Sequence, residues 1–267
     1  MTLPITLPST IAGLVAGRRV VPVTTGMSGA RVLRFDAADG SALYLKTVPA
    51  ADETSGGEAA RLRWMARHGL PVPAVLHHEI VGGDEHLLLG GVAGTDAATA
   101  AGAPDRDPGA IVAALADGLR LLHDMPIADC PFRHTAAIGV ADAHARATAG
   151  LVDVDDFDDE RIGRSLDDLL AELDATRPAA DGAAFTHGDY CLPNVILRGA
   201  GSSLGVAGFV DCGRAGVGDP YRDLALAVRS VHHNLGDAWV PLLLARYGVR
   251  EVDEARLRFY LLLDEFF

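Results

Sequence analysis

Apolar and polar positions change period part-way along the chain. Short runs rich in Val, Leu, Ile and aromatic residues occupy 20–23, 30–35, 42–48, 74–81 and 85–89, and together they predict one antiparallel sheet. One interruption has helical spacing: Ala59, Leu62, Met65 and Ala66 form a stripe suited to packing on the sheet, and Gly69 and Pro71 stop it. Consecutive small residues at 90–94 read as a hinge. Residues 95–108, rich in Ala, Gly, Asp and Pro, read as a loop. Beyond them helices dominate. The 111–123 segment spaces Leu115, Leu119 and Leu122 for burial, and 141–151 and 162–176 are also predicted helical. Asp219 and Pro220 supply a cap and first turn for a helix running to 231, and two more helices follow. The expected organisation is therefore α+β, with an N-terminal lobe over 1–93 and a C-terminal lobe over 94–267.

The stretch from 185 to 214 departs from the helical pattern. Segments 194–198 and 206–210 flank a Gly/Ser cluster at 199–203, which predicts a hairpin. Folding back in this way brings Asn194 and Asp211 close together, with the carboxylate of Asp189 nearby. Two such oxygen donors suit a hard cation that also holds phosphate oxygens, and magnesium is the first choice. His187-Gly188-Asp189, four intervening residues and Asn194 reproduce the kinase catalytic-loop spacing, with Gly188 where many protein kinases carry arginine. In that pattern Asp189 accepts the proton of the acceptor hydroxyl, while Asn194 and Asp211 hold the metal. His-Gly-Asp alone is weak evidence, since any buried strand can end that way.

Other features admit two readings each. The turn Thr25-Gly26-Met27-Ser28-Gly29-Ala30 has two glycines that permit close approach to phosphates, yet an ordinary hairpin looks the same. Alternation puts Tyr44 and Lys46 on one face of a strand and Leu43 and Leu45 on the other. A lone strand lysine is usually an edge residue, but Lys46 also fits the kinase lysine that pairs with phosphates and a helix glutamate. Glu58 is the candidate partner, although Ser55-Gly56-Gly57-Glu58 is equally a capping-box pattern. The acidic run 152–160 reads as a solvated loop, a cation-binding segment or a calcium site; it lacks the glycine and terminal glutamate of an EF-hand loop.

Taken in order, His187-Gly188-Asp189, Asn194 and Phe209-Val210-Asp211-Cys212-Gly213-Arg214 resemble the aminoglycoside 3′-phosphotransferases, the kanamycin kinases. So do Gly26-Met27-Ser28-Gly29-Ala30, Tyr44-Leu45-Lys46, the acidic run, Val228-Arg229-Ser230 and Leu263-Asp264-Glu265-Phe266-Phe267. The resemblance implies a two-lobed, protein-kinase-like fold that binds ATP and Mg2+ between the lobes and phosphorylates the 3′-hydroxyl of kanamycin- or neomycin-type antibiotics. It implies nucleotide contacts from Ser28, Tyr44, Lys46, Glu58, Gly90, Val92 and Val210. Asp189 and Arg214 become the catalytic pair, Arg214 by ordering the catalytic loop or the phosphates. Asp156, Asp158, Asp159, Glu160, Asp264, Glu265 and Phe267 become contacts to the drug, the last through a terminal carboxylate. One departure is His233-Asn234, where many members carry acidic residues. A same-fold kinase for another small hydroxyl compound, and a silent nucleotide-binding module, are the alternatives.

Composition narrows the partners. A formal charge of −13 disfavours nucleic acid and attracts a polycationic small molecule, although an acidic surface also serves solubility. Three cysteines without metal-ligand spacing argue for free thiols rather than a disulfide framework. Residues 1–20 carry Pro4 and Pro8 and no early positive charge, and no apolar run reaches membrane-spanning length. The expectation is a cytoplasmic monomer with no membrane contact.

Overall fold

The computed structural model describes residues 7–23, 30–50, 54–180 and 182–267. The chain divides into two compact units, residues 1–93 with 207–213, and 94–206 with 214–267. The expected C-terminal lobe thus loses a short segment to the first unit. The cause is local bonding: Phe209 N donates to Pro71 O at 2.9 Å, and Cys212 N donates to Glu58 Oε1 at 3.1 Å.

The first unit contains α1 (Ser9–Leu14), β1 (Arg19–Val23), β2 (Arg31–Asp36), β3 (Ala42–Pro49), α2 (Thr54–Arg67), β4 (Val75–Val81) and β5 (Asp84–Gly90). Its antiparallel sheet has the order β1-β2-β3-β5-β4. All five strands lie where alternation predicts them, but α1 was not anticipated, because six residues are too few to establish a helical period. It nevertheless anchors the core: Ile11 is fully buried, and with Val15 it packs against Leu33, Phe35, Leu45 and Leu88. Leu43 packs on the same cluster, so Leu43 and Leu45 share one sheet face and Lys46 turns to the other. On α2, which lies against β4 and β5, Ala59, Leu62 and Met65 are buried as expected. Trp64 is buried too, whereas Ala66 is exposed.

The second unit opens with β6 (Thr95–Asp96) and α3 (Ala97–Gly102), which replace the expected loop. The Asp96 carboxylate accepts from Thr99 N at 2.8 Å, capping a run of alanines that are strong helix formers. Next come α4 (Pro108–His123), α5 (Ala136–Thr148) and α6 (Leu166–Thr176). The last two differ from the predicted 141–151 and 162–176 because Thr135 and Ser165 supply the caps, accepting from Ile138 N and Asp168 N. Then follow β7 (Ala184–Thr186), β8 (Val195–Arg198), β9 (Gly205–Phe209), whose last three residues belong to the first unit, and β10 (Gly216–Gly218). The β8 and β9 strands are neighbours in a sheet ordered β6-β8-β9, and β10 pairs antiparallel with β7. Finally come α7 (Tyr221–Leu235), α8 (Val240–Tyr247) and α9 (Glu254–Asp264); α7 and α8 pack with α4, and α9 packs with α7. The α7 helix starts one residue later than predicted, with Asp219 Oδ1 accepting from Tyr221 N at 2.9 Å. Among the described residues no helix is long and apolar enough to cross a membrane.

The dependence of the first unit on α1 can be measured. Ile11→Ala should lower its unfolding free energy by about 2–5 kcal/mol, the usual cost of emptying a fully buried aliphatic site. A urea midpoint equal to that of the parent protein would show that the helix is peripheral.

Candidate active site

Two sets of polar side chains stand out, one in each unit. In the first, β3 carries Lys46 opposite Val32 on β2 and Leu87 on β5. Its Nζ lies 2.9 Å from Glu58 Oε2 on α2 and 2.9 Å from Asp211 Oδ1. Glu58 is almost fully buried, and its other oxygen takes the Cys212 amide. Both carboxylate oxygens are therefore engaged, one by the Lys46 ammonium and one by a backbone amide. Burial works against the Lys46 charge, but Glu58 and Asp211 together hold the ammonium above its ordinary pKa. Burial pushes the Glu58 carboxyl up against the pull of Lys46, and the charge of Asp211 adds to the push.

Asp211 is the only non-glycine residue with positive φ among the described residues, at 57°. A residue held in the left-handed region stores roughly 1–2 kcal/mol, a cost that aspartate tolerates better than most and that recurs at functional sites. The neighbouring glycines answer a different need. Gly90 N and Gly91 N donate to Ala74 O and Ala42 O at 2.9 and 2.8 Å, and a Cβ on Gly91 would lie 2.8 Å from Ala42 O. These two positions are stitched to the sheet rather than loose. A Cβ on Gly208 would meet Val92 Cγ1 at 2.8 Å, so the segment before Val210 passes close to Val92. Tyr44 is half-buried on β3, opposite Arg34 and Leu89. Ser28 lies outside the described residues.

In the second unit β7 delivers His187-Gly188-Asp189 into a turn built on buried groups. The carboxylate of Asp223, on α7, accepts from His187 N at 2.6 Å and from Gly188 N at 2.8 Å. His123 Nε2, at the end of α4, lies 3.1 Å from the same carboxylate, and its Nδ1 meets Tyr247 Oη at 2.8 Å. Burial alone would raise the Asp223 carboxyl, but the His123 hydrogen bond and the His187 amide more than offset it and hold the group below the usual range. Arg222, the preceding residue, donates from Nε to Gly188 O at 3.0 Å. Burial and the adjacent Arg214 charge bring its guanidinium down to about 10. His187 is itself fully buried, and its Nδ1 accepts the Asp189 amide at 3.3 Å. It is a scaffold residue rather than an open metal ligand.

Asn194 then ties the loop to its aspartate. Its Nδ2 donates to Asp189 O at 3.0 Å and to Asp189 Oδ2 at 2.9 Å. Both amide hydrogens are used, so Oδ1 is the remaining acceptor. Burial, reinforced by Asp189, pushes the Cys191 thiol up, so it is protonated filler rather than a nucleophile. Cys212 is fully buried.

Arg214 orders the loop by its backbone and the chain end by its side chain. His134 Nδ1 donates to its carbonyl at 2.9 Å. Its guanidinium sits 4.5 Å from the Phe267 ring centroid, 3.4 Å from Phe267 O and 3.7 Å from Asp264 Oδ1. Those contacts engage its guanidinium with the residues around the end of α9, while its carbonyl lies close to Gly188.

The acids expected to meet the drug divide into two groups. Asp156, Asp159 and Glu160 are exposed. Asp158, Asp264 and Glu265 are paired with arginines: Arg161 bridges Asp158 and Glu265, and Arg229 bonds Asp264. Burial pushes the Glu265 carboxyl up to about 7. Asp153 Oδ1 accepts the Asp155 amide at 3.1 Å, so this carboxylate is turned onto its own turn. Asn234, one of the departures from the resemblance, turns its amide to Ser230 O at 2.8 Å.

Sequence reading missed Asp223, Arg222 and Arg161 altogether and placed His123 only as the last position of the predicted 111–123 helix. A charged pair at the start of an apolar helix, as in Tyr221-Arg222-Asp223-Leu224, was the available signal, since charges inside a buried stripe need partners.

Comparison with known proteins agrees with this fold. A family model described as "Phosphotransferase enzyme family" matches residues 19–260. The chain is 42% identical over 233 residues to an aminoglycoside 3′-phosphotransferase of Streptomyces fradiae, covering 84% of this chain and 85% of the relative. It is 37% identical over 257 residues to a streptomycin 3″-kinase of Streptomyces griseus, covering 91% and 90%. The crystal structure of a type VIII aminoglycoside 3′-phosphotransferase superposes with a TM-score of 0.87 at 36% identity, covering 97% of both chains.

Gly188 tests the loop most directly. Its φ is +88°, and a Cβ there would lie 2.4 Å from Arg214 O. Gly188→Ala should reduce kcat at least about tenfold, the equivalent of ~1.4 kcal/mol, through displacement of Asp189. Full activity in the alanine variant would mean that the loop tolerates displacement.

Proposed function

We propose that this chain, which belongs to the aminoglycoside phosphotransferase family, transfers the γ-phosphoryl group of ATP to the 3′-hydroxyl of kanamycin- or neomycin-type antibiotics and so confers resistance to them. The observation that carries the regiochemistry is the greater identity to the Streptomyces fradiae 3′-phosphotransferase than to the streptomycin 3″-kinase. The acidic run supports a cationic acceptor, because exposed Asp156, Asp159 and Glu160 present three carboxylates within five residues.

The roles follow from the bonds each side chain has left to make. Asp189 accepts the proton of the attacking hydroxyl, and the Asn194 amide holds its carboxylate in one orientation. Lys46, kept cationic by Glu58 and Asp211, binds phosphate oxygens. Ser28, Tyr44, Gly90, Val92 and Val210 complete the nucleotide contacts. The oxygens of Asn194 and Asp211 fit a hard cation, and magnesium bound by them would neutralise phosphate charge. Phosphoryl transfer asks for little covalent work, so positioning and charge neutralisation supply most of the rate.

Asp189→Ala should lower kcat by at least ~10²-fold, the lower bound for general-base help, while ATP affinity changes by less than about twofold. A variant that keeps more than about a tenth of the parent rate would remove Asp189 from that role.

The acceptor is tested by a coupled phosphate-transfer assay over a panel of drugs. Kanamycin should be phosphorylated, and an otherwise similar aminoglycoside lacking the 3′-hydroxyl should bind without turnover. Rapid turnover of the 3′-deoxy compound, or of streptomycin in place of kanamycin, would overturn the 3′ assignment.

A further inference from the structure

Within the acidic run one residue carries the opposite charge and is buried. The Arg161 side chain is 8% exposed, and its Nη1 reaches Asp158 Oδ2 and, at 3.2 Å, Glu265 Oε1. The Asp158 amide donates to the other Glu265 oxygen at 3.1 Å. Arg229 Nη1 stands 3.9 Å from Glu265 Oε1. These bonds tie a turn lying between α5 and α6 to the residue immediately after α9. Asp158 and Glu265 are thereby turned inward onto guanidinium groups, while Asp156, Asp159 and Glu160 remain exposed on the same short segment.

A flexible acidic loop would have to be ordered each time it met a polycation, and that ordering entropy would weaken binding. A loop already pinned at Asp158 presents its outer carboxylates at fixed spacing. An arginine suits the pin, because it stays charged when buried and its Nη1 carries two hydrogens, one for each carboxylate. We infer that Arg161 is a positioning residue for the acceptor: it latches the acidic segment to the end of α9 and so fixes the spacing of the carboxylates that the segment presents to the ammonium groups. The inference rests on the aminoglycoside reading for its acceptor.

Arg161→Ala, Arg161→Lys and the surface control Arg164→Ala are compared with the parent protein in steady-state kinetics and in amide hydrogen exchange. The alanine variant should raise the kanamycin KM about tenfold while the ATP KM changes by less than about twofold, since only acceptor binding loses its preorganisation. Arg161→Lys should fall between it and the parent, and Arg164→Ala should match the parent. Exchange protection at the Asp158 amide should be lost in Arg161→Ala, with or without substrate. Retained protection would show that no latch depends on Arg161. Lost protection with an unchanged kanamycin KM would show a latch that does not position the acceptor. A parent protein inert toward every aminoglycoside would sink the acceptor reading and the positioning role with it, and the exchange result would still decide the latch. If Arg161→Ala does not fold, Arg161→Lys and Glu265→Gln carry the same two measurements.

Discussion

The loop proposed to be catalytic depends on one buried carboxylate. Asp223 is fully buried, and a lone charge there would be strongly disfavoured, yet it accepts two consecutive backbone amides and meets His123. Each bond to an ionised acceptor contributes roughly 1.5–3 kcal/mol, so the set offsets the desolvation that burial imposes. The geometry then propagates outward. Fixing the amides of His187 and Gly188 fixes the peptide that leads to Asp189, Arg222 holds the carbonyl of Gly188, and Asn194 holds the carboxylate of Asp189. His123 and Tyr247 extend the same network to α4 and α8.

A different solution to burying charge appears around Lys46. One ammonium is shared by Glu58, which is buried, and by Asp211, which is held in a left-handed backbone conformation. Two carboxylates facing one cation leave an excess negative charge. Such an arrangement favours a further cation at Asp211, in keeping with the metal role proposed for it. The Glu58 to Cys212 hydrogen bond links this cluster to the segment that follows β9, which accounts for residues 207–213 grouping with the sheet.

Around the end of α9 the charges are paired more evenly. Three arginines, Arg161, Arg214 and Arg229, meet three acids, Asp158, Asp264 and Glu265. Acidic residues that look alike in the sequence therefore have opposite fates: some are satisfied within the fold, and others stay available for a cationic ligand.

The sequence by itself determined the five strands, α2 and α4, and the order of the catalytic-loop residues. It could do so because alternation, helical spacing and motif spacing are local properties. It also determined the family, through Lys46, Asp189, Asn194 and Asp211 taken in order. The short helix α1 was illegible because its apolar residues acquire meaning only against Leu33, Phe35, Leu45 and Leu88. Caps at Thr135 and Ser165 shifted helix boundaries that apolar spacing had placed elsewhere, and the cap at Asp96 opened a helix where a loop was expected. Only the tertiary structure decided that Asp223 anchors the loop, that His123 supports it and that Arg161 closes on Glu265. Those partners lie 36, 100 and 104 residues apart in the chain, and a buried charge chooses its partner by proximity in space, which no local pattern encodes.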